Sequence, residues 1–391
     1  MTDLQILFLV LVALYGWECV CWVHRGSVAY RAWFGKRFHL AHPSRLLGNQ
    51  RAGFVFAHPL PPLGTMLVTS QFPASLSPEA VLAFVAPSVN PGSRPPQTGN
   101  FYRFDEIQTV TAQAKNILIN GETFLRAASV GLAAHFAQEL NQLKSLPVSK
   151  RAKAIQLLVH RALDVQAIQQ RYSEFQRRTR SLRVLTNVLF LYLFFLVPVV
   201  IWRFGLVPCW PGLLAGLIAC TTTIAVSFRR RHKQFYPHLE DERFTEFLII
   251  LLSPATAIRA LDLLSRPLLE IYHPLAVAKV LCAERDFCVL AANYLREINY
   301  PARPLCLRSE SAAIQAEQEM RSLLKQEVEN LIKKAGQNLA ELMRPPVPTE
   351  SACRSYCPRC LAQFTVSTGV CEDCGGVPLI AFGPESAPRK S

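Results

Sequence analysis

Apolar and polar positions along the chain separate into three unbroken apolar runs and several amphipathic stretches. The first run is Leu4–Val23, LQILFLVLVALYGWECVCWV. The second is Val184–Trp202, VLTNVLFLYLFFLVPVVIW, and the third is Leu213–Phe228, extended backward to Leu206. Each approaches the ~20 apolar residues that a helix needs to cross a hydrocarbon core. The pattern therefore predicts transmembrane helices over 4–23, 184–202 and 206–228. The N-terminal run has neither the basic n-region nor the small-residue cleavage site of a secretory signal, so it reads as an uncleaved anchor. Between the second and third runs, RFGLVPCWPG suits a tight interfacial turn, with Trp202 and Trp210 in the aromatic belt. A fourth run, Phe247–Leu252, is too short to span and reads as a buried helix or an interfacial contact.

Outside these runs the periodicity predicts two kinds of region. Residues 53–145 form a small α+β domain: GFVFAHP and GTMLVTS are strand-like, and Ser77-Pro78-Glu79 has the pattern of a helix start. Asn120-Gly121 supplies the positive φ angles of a tight hairpin, and Ser129 caps a helix running to about Leu143. Residues 148–183 carry the stripe Ile155, Leu158, Ala162, Ile168, Tyr172 and Phe175, and no proline separates them from the second span. One amphipathic helix entering the membrane is expected. Residues 238–305 form a helical region broken into short helices at Ser253-Pro254, Arg266-Pro267 and His273-Pro274. Residues 309–343 form a long amphipathic helix with Met320, Leu324, Val328, Leu331, Ala335, Leu339 and Leu342 along a seam. That seam suits a short coiled coil, or packing on the helix's own domain. A Pro-rich linker (344–352), a metal module (353–382) and a disordered tail (383–391) follow. The fold class is a mainly α membrane protein with these appendages.

Charge gives the runs a direction. The 391 residues include 42 Lys+Arg and 28 Asp+Glu, a net charge of +14, yet only 18% of them are charged, against about 25% in a typical soluble domain. A basic chain can bind nucleic acid, or can be a membrane protein with basic cytoplasmic flanks. Three belts decide between these: Arg25, Arg31, Lys36, Arg37, Arg45 and Arg51; Arg171, Arg177, Arg178, Arg180 and Arg183, opposed by Glu174; and Arg229, Arg230, Arg231 and Lys233. Their net charge equals the whole excess of +14. The expectation is a multi-pass protein, suited to a bacterial inner membrane, with its N-terminus outside and residues 24–183 and 229–391 cytoplasmic. The juxtamembrane linker 24–52 and the other belts would meet anionic headgroups, at about 1 kcal/mol per basic residue. Nucleic-acid binding loses its main support.

Four of the 12 cysteines have metal-ligand spacing. Cys357-Pro358-Arg359-Cys360 and Cys371-Glu372-Asp373-Cys374-Gly375-Gly376 are two Cys-x-x-Cys turns able to present sulfurs to one centre. The segment Tyr356–Phe382, with YCPRC and CEDCGG as its knuckles, resembles the zinc-ribbon family. That resemblance implies a structural Zn²⁺ held by Cys357, Cys360, Cys371 and Cys374, with iron in a rubredoxin-like site as the alternative. Four thiolates leave no open position for water, so such a site is structural rather than catalytic. Cys353 stands nearby as a bystander or an alternative ligand.

Glu18 reads as interfacial, and Gly212, Gly216 and Cys220 form a small-residue stripe for close helix packing. Phosphate loops, dinucleotide glycines, His-Glu-x-x-His and nucleophile elbows are absent. The expected function is a scaffold whose zinc ribbon, or helix 309–343, engages a protein partner, with a homo-oligomer as one form. The alternatives are a membrane enzyme or transporter accessory subunit with a site in the cytoplasmic regions, and a membrane-tethered nucleic-acid binder.

Overall fold

The computed structural model describes residues 3–21, 39–41, 53–57, 66–70, 72, 74–83, 100–127, 129–237, 240–301 and 311–383. The first basic belt, most of the linker 24–52 and the tail residues 384–391 lie outside the described residues.

Short strands form three antiparallel sheets. The first contains β1 (His39–Ala41), β2 (Gly53–Ala57) and β3 (Met66–Ser70); the second β4 (Ala74–Leu76), β5 (Ala80–Ala83) and β6 (Phe101–Arg103). The third contains β7 (Val110–Gln113), β8 (Asn116–Ile119) and β9 (Glu122–Arg126). The expected hairpin turn joins β8 to β9, with Asn120 at φ 53° and Gly121 at φ 83°. Asn120 Oδ1 accepts from the amides of Gln108 and Thr109 and its Nδ2 donates to Glu106 O, which holds the turn. The helix expected to start at Ser77 is instead a β4–β5 hairpin turn. Ser77 Oγ accepts from the Glu79 and Ala80 amides, but the chain then continues as a fully buried strand. A serine followed by proline caps a turn as readily as a helix.

Among the helices, α1 (Asp3–Cys21) is N-terminal. Ser129 caps α2 (Val130–Ser145), its Oγ accepting from the Leu132 amide at 2.9 Å. The single helix expected over 148–183 is divided into α3 (Val148–Ala162), α4 (Val165–Arg178) and the start of α5 (Arg180–Leu191). Asp164 causes the first break, its carboxylate accepting from the Gln166 and Ala167 amides, while the Ala162 carbonyl turns to accept from the His273 amide. After α5 comes a π-helical turn, Tyr192–Leu196, then α6 (Val197–Phe204) and α7 (Leu206–Phe235). The expected turn over RFGLVPCWPG shrinks to Gly205 at φ 86°, because Pro208 sits in the first turn of α7, where its missing N–H costs nothing. There follow α8 (Glu240–Leu252), α9 (Pro254–Ile258), α10 (Ala260–Ser265), a 3₁₀ turn Arg266–Leu269, α11 (Pro274–Leu281) and α12 (Glu284–Asn299). The long helix α13 (Ser311–Lys334) and short α14 (Leu339–Leu342) complete the series.

Two helices among the described residues, not the three expected, are long and apolar enough to cross a membrane: Arg180–Phe204 and Leu206–Phe235. In α1 the apolar stretch among the described residues is Gln5–Leu14, which is shorter than a bilayer's thickness and gives the first span no support. Without support for a third span, the outward N-terminus inferred from an odd number of crossings loses its basis. The two long helices pack along Leu182, Thr186 and Leu189 on one side and Ile224, Ala225 and Phe228 on the other. Gly216 lets Tyr192 approach: a Cβ there would lie 2.7 Å from the phenolic oxygen, which donates to Leu213 O at 2.5 Å. Gly212 has open space, so only part of the small-residue stripe is used.

One apolar core runs from the β-sheets through α2–α4 and α9–α12 into the base of this hairpin. The α13 seam closes within it. Ala316, Met320, Val328 and Ile332 are buried, and the helix packs on β4, β5, α3 and α12 of its own chain. Its apolar face is spent on the domain, and the coiled-coil expectation finds no support.

Candidate metal centre

The C-terminal module is two small sheets. One has β10 (Ser355–Tyr356) between β11 (Gln363–Phe364) and β14 (Ile380–Ala381); the other pairs β12 (Val370–Cys371) with β13 (Val377–Pro378). Strands this short bring two knuckles face to face. In the first, Leu361 N donates to Cys357 O and Leu361 adopts φ 62°. In the second, Gly375 takes the matching position at φ 70°, with Gly376 at φ 82° donating to Cys371 O. Left-handed backbone one residue past each Cys-x-x-Cys turn folds both sulfurs back toward a common point, and at the second knuckle Gly375 permits it without strain.

The Sγ atoms of Cys357, Cys360, Cys371 and Cys374 all lie within 4.8 Å of one another. Cys360 and Cys371 sulfurs are 3.8 Å apart. A tetrahedron with metal–sulfur bonds of about 2.3 Å has edges of about 3.8 Å, so the spacing fits a four-thiolate metal site. It is too long for a disulfide, which needs about 2.05 Å. Cys357 and Cys371 are buried and Cys360 is exposed. Burial raises the Cys357 thiol, but hydrogen bonds from the Cys360 and Arg359 amides and the Cys360 and Cys374 side chains together hold it below the usual range. Burial and the neighbouring sulfurs push Cys374 up. One thiolate forms readily and further ones are opposed, which is the donor set a cation completes. Cys353 lies outside the cluster, its sulfur 3.8 Å from Thr349 Oγ1.

The module is docked on the body rather than free. Arg359 pairs with Glu297 on α12 at 3.2 Å, and Tyr300 packs against the small core of Cys357, Cys371 and Val377. Gln363 Nε2 donates to Val347 O and its Oε1 accepts from the Thr349 amide, both at 2.8 Å, so the segment expected as a linker is tied to β11.

A second polar cluster escaped sequence reasoning. Arg259 and Asp262 form a buried ion pair, and burial pushes the neighbouring Arg266 guanidinium below its usual range. His232 Nε2 lies 3.6 Å from Glu246 Oε2, and Ser129 Oγ donates to Glu270 Oε2 at 2.5 Å. The residues come from α7, α8, the cap of α2 and the segment 259–270, so no single local spacing announces them together. The one available signal was polar residues inside the otherwise apolar LDLLSRPLLE. His273 is wholly buried, its Nδ1 accepting from the Leu275 amide, and burial lowers its pKa to about 3. An open groove of about 580 Å³ between β7 and α2 is lined by Val110, Thr111, Gln138 and Asn141, among others, with no titratable side chain.

Comparison with known protein families, with curated proteins and with solved structures finds no match for this chain.

Proposed function

We propose that the chain is a membrane-anchored scaffold: a two-helix hairpin holds a mixed helical body at the cytoplasmic surface, and a structural zinc ribbon presents a rigid face to a protein partner. The observation that carries the anchor is exposure. In the most apolar 18-residue window of each long helix only 22% of residues are buried inside the molecule. A core helix of a soluble protein would bury most of such a stretch. Val184, Val188, Leu191, Phe195, Val199 and Trp202 instead form one outward stripe, which hydrocarbon would cover. Arg180 and Arg183 at one base and Arg229–Arg231 at the other put the positive side with the body. Zn²⁺ is the metal favoured by four thiolates at this spacing, and it would staple the ribbon without opening a site for chemistry.

Two measurements test the reading. Purified protein should carry one zinc per chain, absent from Cys357→Ser and Cys374→Ser and retained by Cys353→Ser. Full zinc in both ligand variants would overturn the site. Affinity capture from membranes with the intact chain, compared with one ending at Pro348, should show a partner that depends on the ribbon. Identical partner sets would remove the platform role.

A further inference from the structure

The helix α8, short of a full span, carries an apolar face that the described residues leave exposed. Phe244, Leu248, Ile249 and Leu252 are exposed, Leu252 at 80%. Its sequence, EDERFTEFLIILL, is also graded along its axis, charged at the start and wholly apolar at the end. An amphipathic surface helix lying flat separates its faces around the axis. A gradient along the axis suits a helix that points from water into an apolar medium.

Its register against α7 gives the depth. Arg229 sits over the Phe247 ring at 5.5 Å and His232 faces Glu246 at 3.6 Å, so the helices run antiparallel and α8 heads back toward the hairpin tip. Carried forward, that register sets Leu252 level with Ala225. This is one turn beyond the basic residues Arg229–Arg231, or about 6 Å at 1.5 Å per residue. Ile250, on the opposite face, is fully buried. The end of the exposed face thus lies level with Val226 on the outward side of α7, with exposed Ile218 about two turns further toward the hairpin tip.

The chain then turns at Ser253-Pro254. A turn at that depth needs its polar groups satisfied internally. Ser253 N donates to Ile249 O at 2.9 Å, and Ser253 Oγ accepts from Thr256 N at 3.3 Å and from Thr256 Oγ1 at 3.0 Å. Pro254 has no N–H to satisfy. α9 then packs on α5 and α7, and α10 brings the chain back to Tyr236, whose hydroxyl donates to Leu264 O.

We infer that α8, the Ser253-Pro254 turn and α9 form a re-entrant element that inserts into the cytoplasmic leaflet. Phe244 and Leu248 then sit at the level of the headgroups, Ile249 at their inner edge and Leu252 among the acyl chains. The inference rests on the hairpin crossing the bilayer. Its partner is the lipid itself, and the Arg229–Arg231 belt beside it matches anionic headgroups.

The test places photoreactive benzoylphenylalanine, one site at a time, at Leu248, Leu252, Val199 and Leu157 in the full chain. The protein is reconstituted in vesicles of phosphatidylcholine and phosphatidylglycerol, illuminated, and analysed by mass spectrometry. Lipid adducts are expected at Val199, Leu248 and Leu252 and not at Leu157, which is exposed on α3. Adducts at Val199 without any at Leu248 and Leu252 would overturn the re-entrant element and leave the hairpin standing. Cross-links from Leu252 to protein in place of lipid would do the same. No adduct at Val199 would overturn the hairpin reading, and the inference with it.

Discussion

At the scale of single residues, two buried ionisable sites set how the molecule responds to acid and to substitution. His273 is held neutral down to about pH 3, whereas an unfolded chain protonates it near 6.5. The unfolded state therefore binds more protons across that window. The stabilising contribution is complete above about 6.5 and is lost as pH falls toward 3. Between pH 7 and pH 5 the loss amounts to about 2 kcal/mol. His273→Asn keeps a cap on α11 and should flatten this part of the stability–pH curve, measured by unfolding in detergent. Asp262 faces Arg259 and has Arg266 beside it. Asp262→Asn leaves buried guanidinium charge without its counter-charge and should cost about 3–5 kcal/mol, whereas replacing both Arg259 and Asp262 by apolar residues should cost less. Denaturant midpoints of the two variants decide it.

Between elements, the contact that sets the hairpin is Tyr192 of the π-helical turn against Gly216 of α7. A methyl at Gly216 would meet the phenolic oxygen at 2.7 Å and its ring carbon at 3.1 Å. Gly216→Ala should therefore destabilise by about 1–3 kcal/mol, the usual range for overpacking. Tyr192→Phe in the same chain should recover part of that, read as the shift in melting temperature. In the body, Val328 on α13 is fully buried. Val328→Asp, which buries an unpaired carboxylate, should release α13 from β4 and β5, seen as faster amide exchange in both strands. At this scale the sequence was partly legible. The Asn120-Gly121 turn and the Ser129 cap depend on two to four neighbouring residues and were read correctly. The Ser77 turn and the break at Asp164 were not. In both, a capping side chain serves two local structures equally, and a distant partner such as His273 makes the choice.

Across the whole molecule, the apolar core is continuous from the sheets to the hairpin base, while the metal module has a separate small core of Cys357, Cys371 and Val377. So few buried residues cannot repay the chain entropy of ordering the module, so its stability should come from metal. Chelation should expose residues 344–352 to protease while the body's melting transition stays in place. Acidification should act in the same direction, since protons compete with metal for thiolates. Simultaneous melting of body and module on chelation would argue against separate cores.

Properties that reside in short windows could be read from the chain itself: two apolar helices of spanning length, the basic belts, and four cysteines at ligand spacing. Length, hydropathy and spacing are local quantities, and a bilayer or a metal ion selects on them directly. The fate of the α13 seam, the Arg259–Asp262 pair and the depth of α8 could not be read locally. Each depends on what packs opposite, and burial is a property of the assembled chain rather than of any stretch of it.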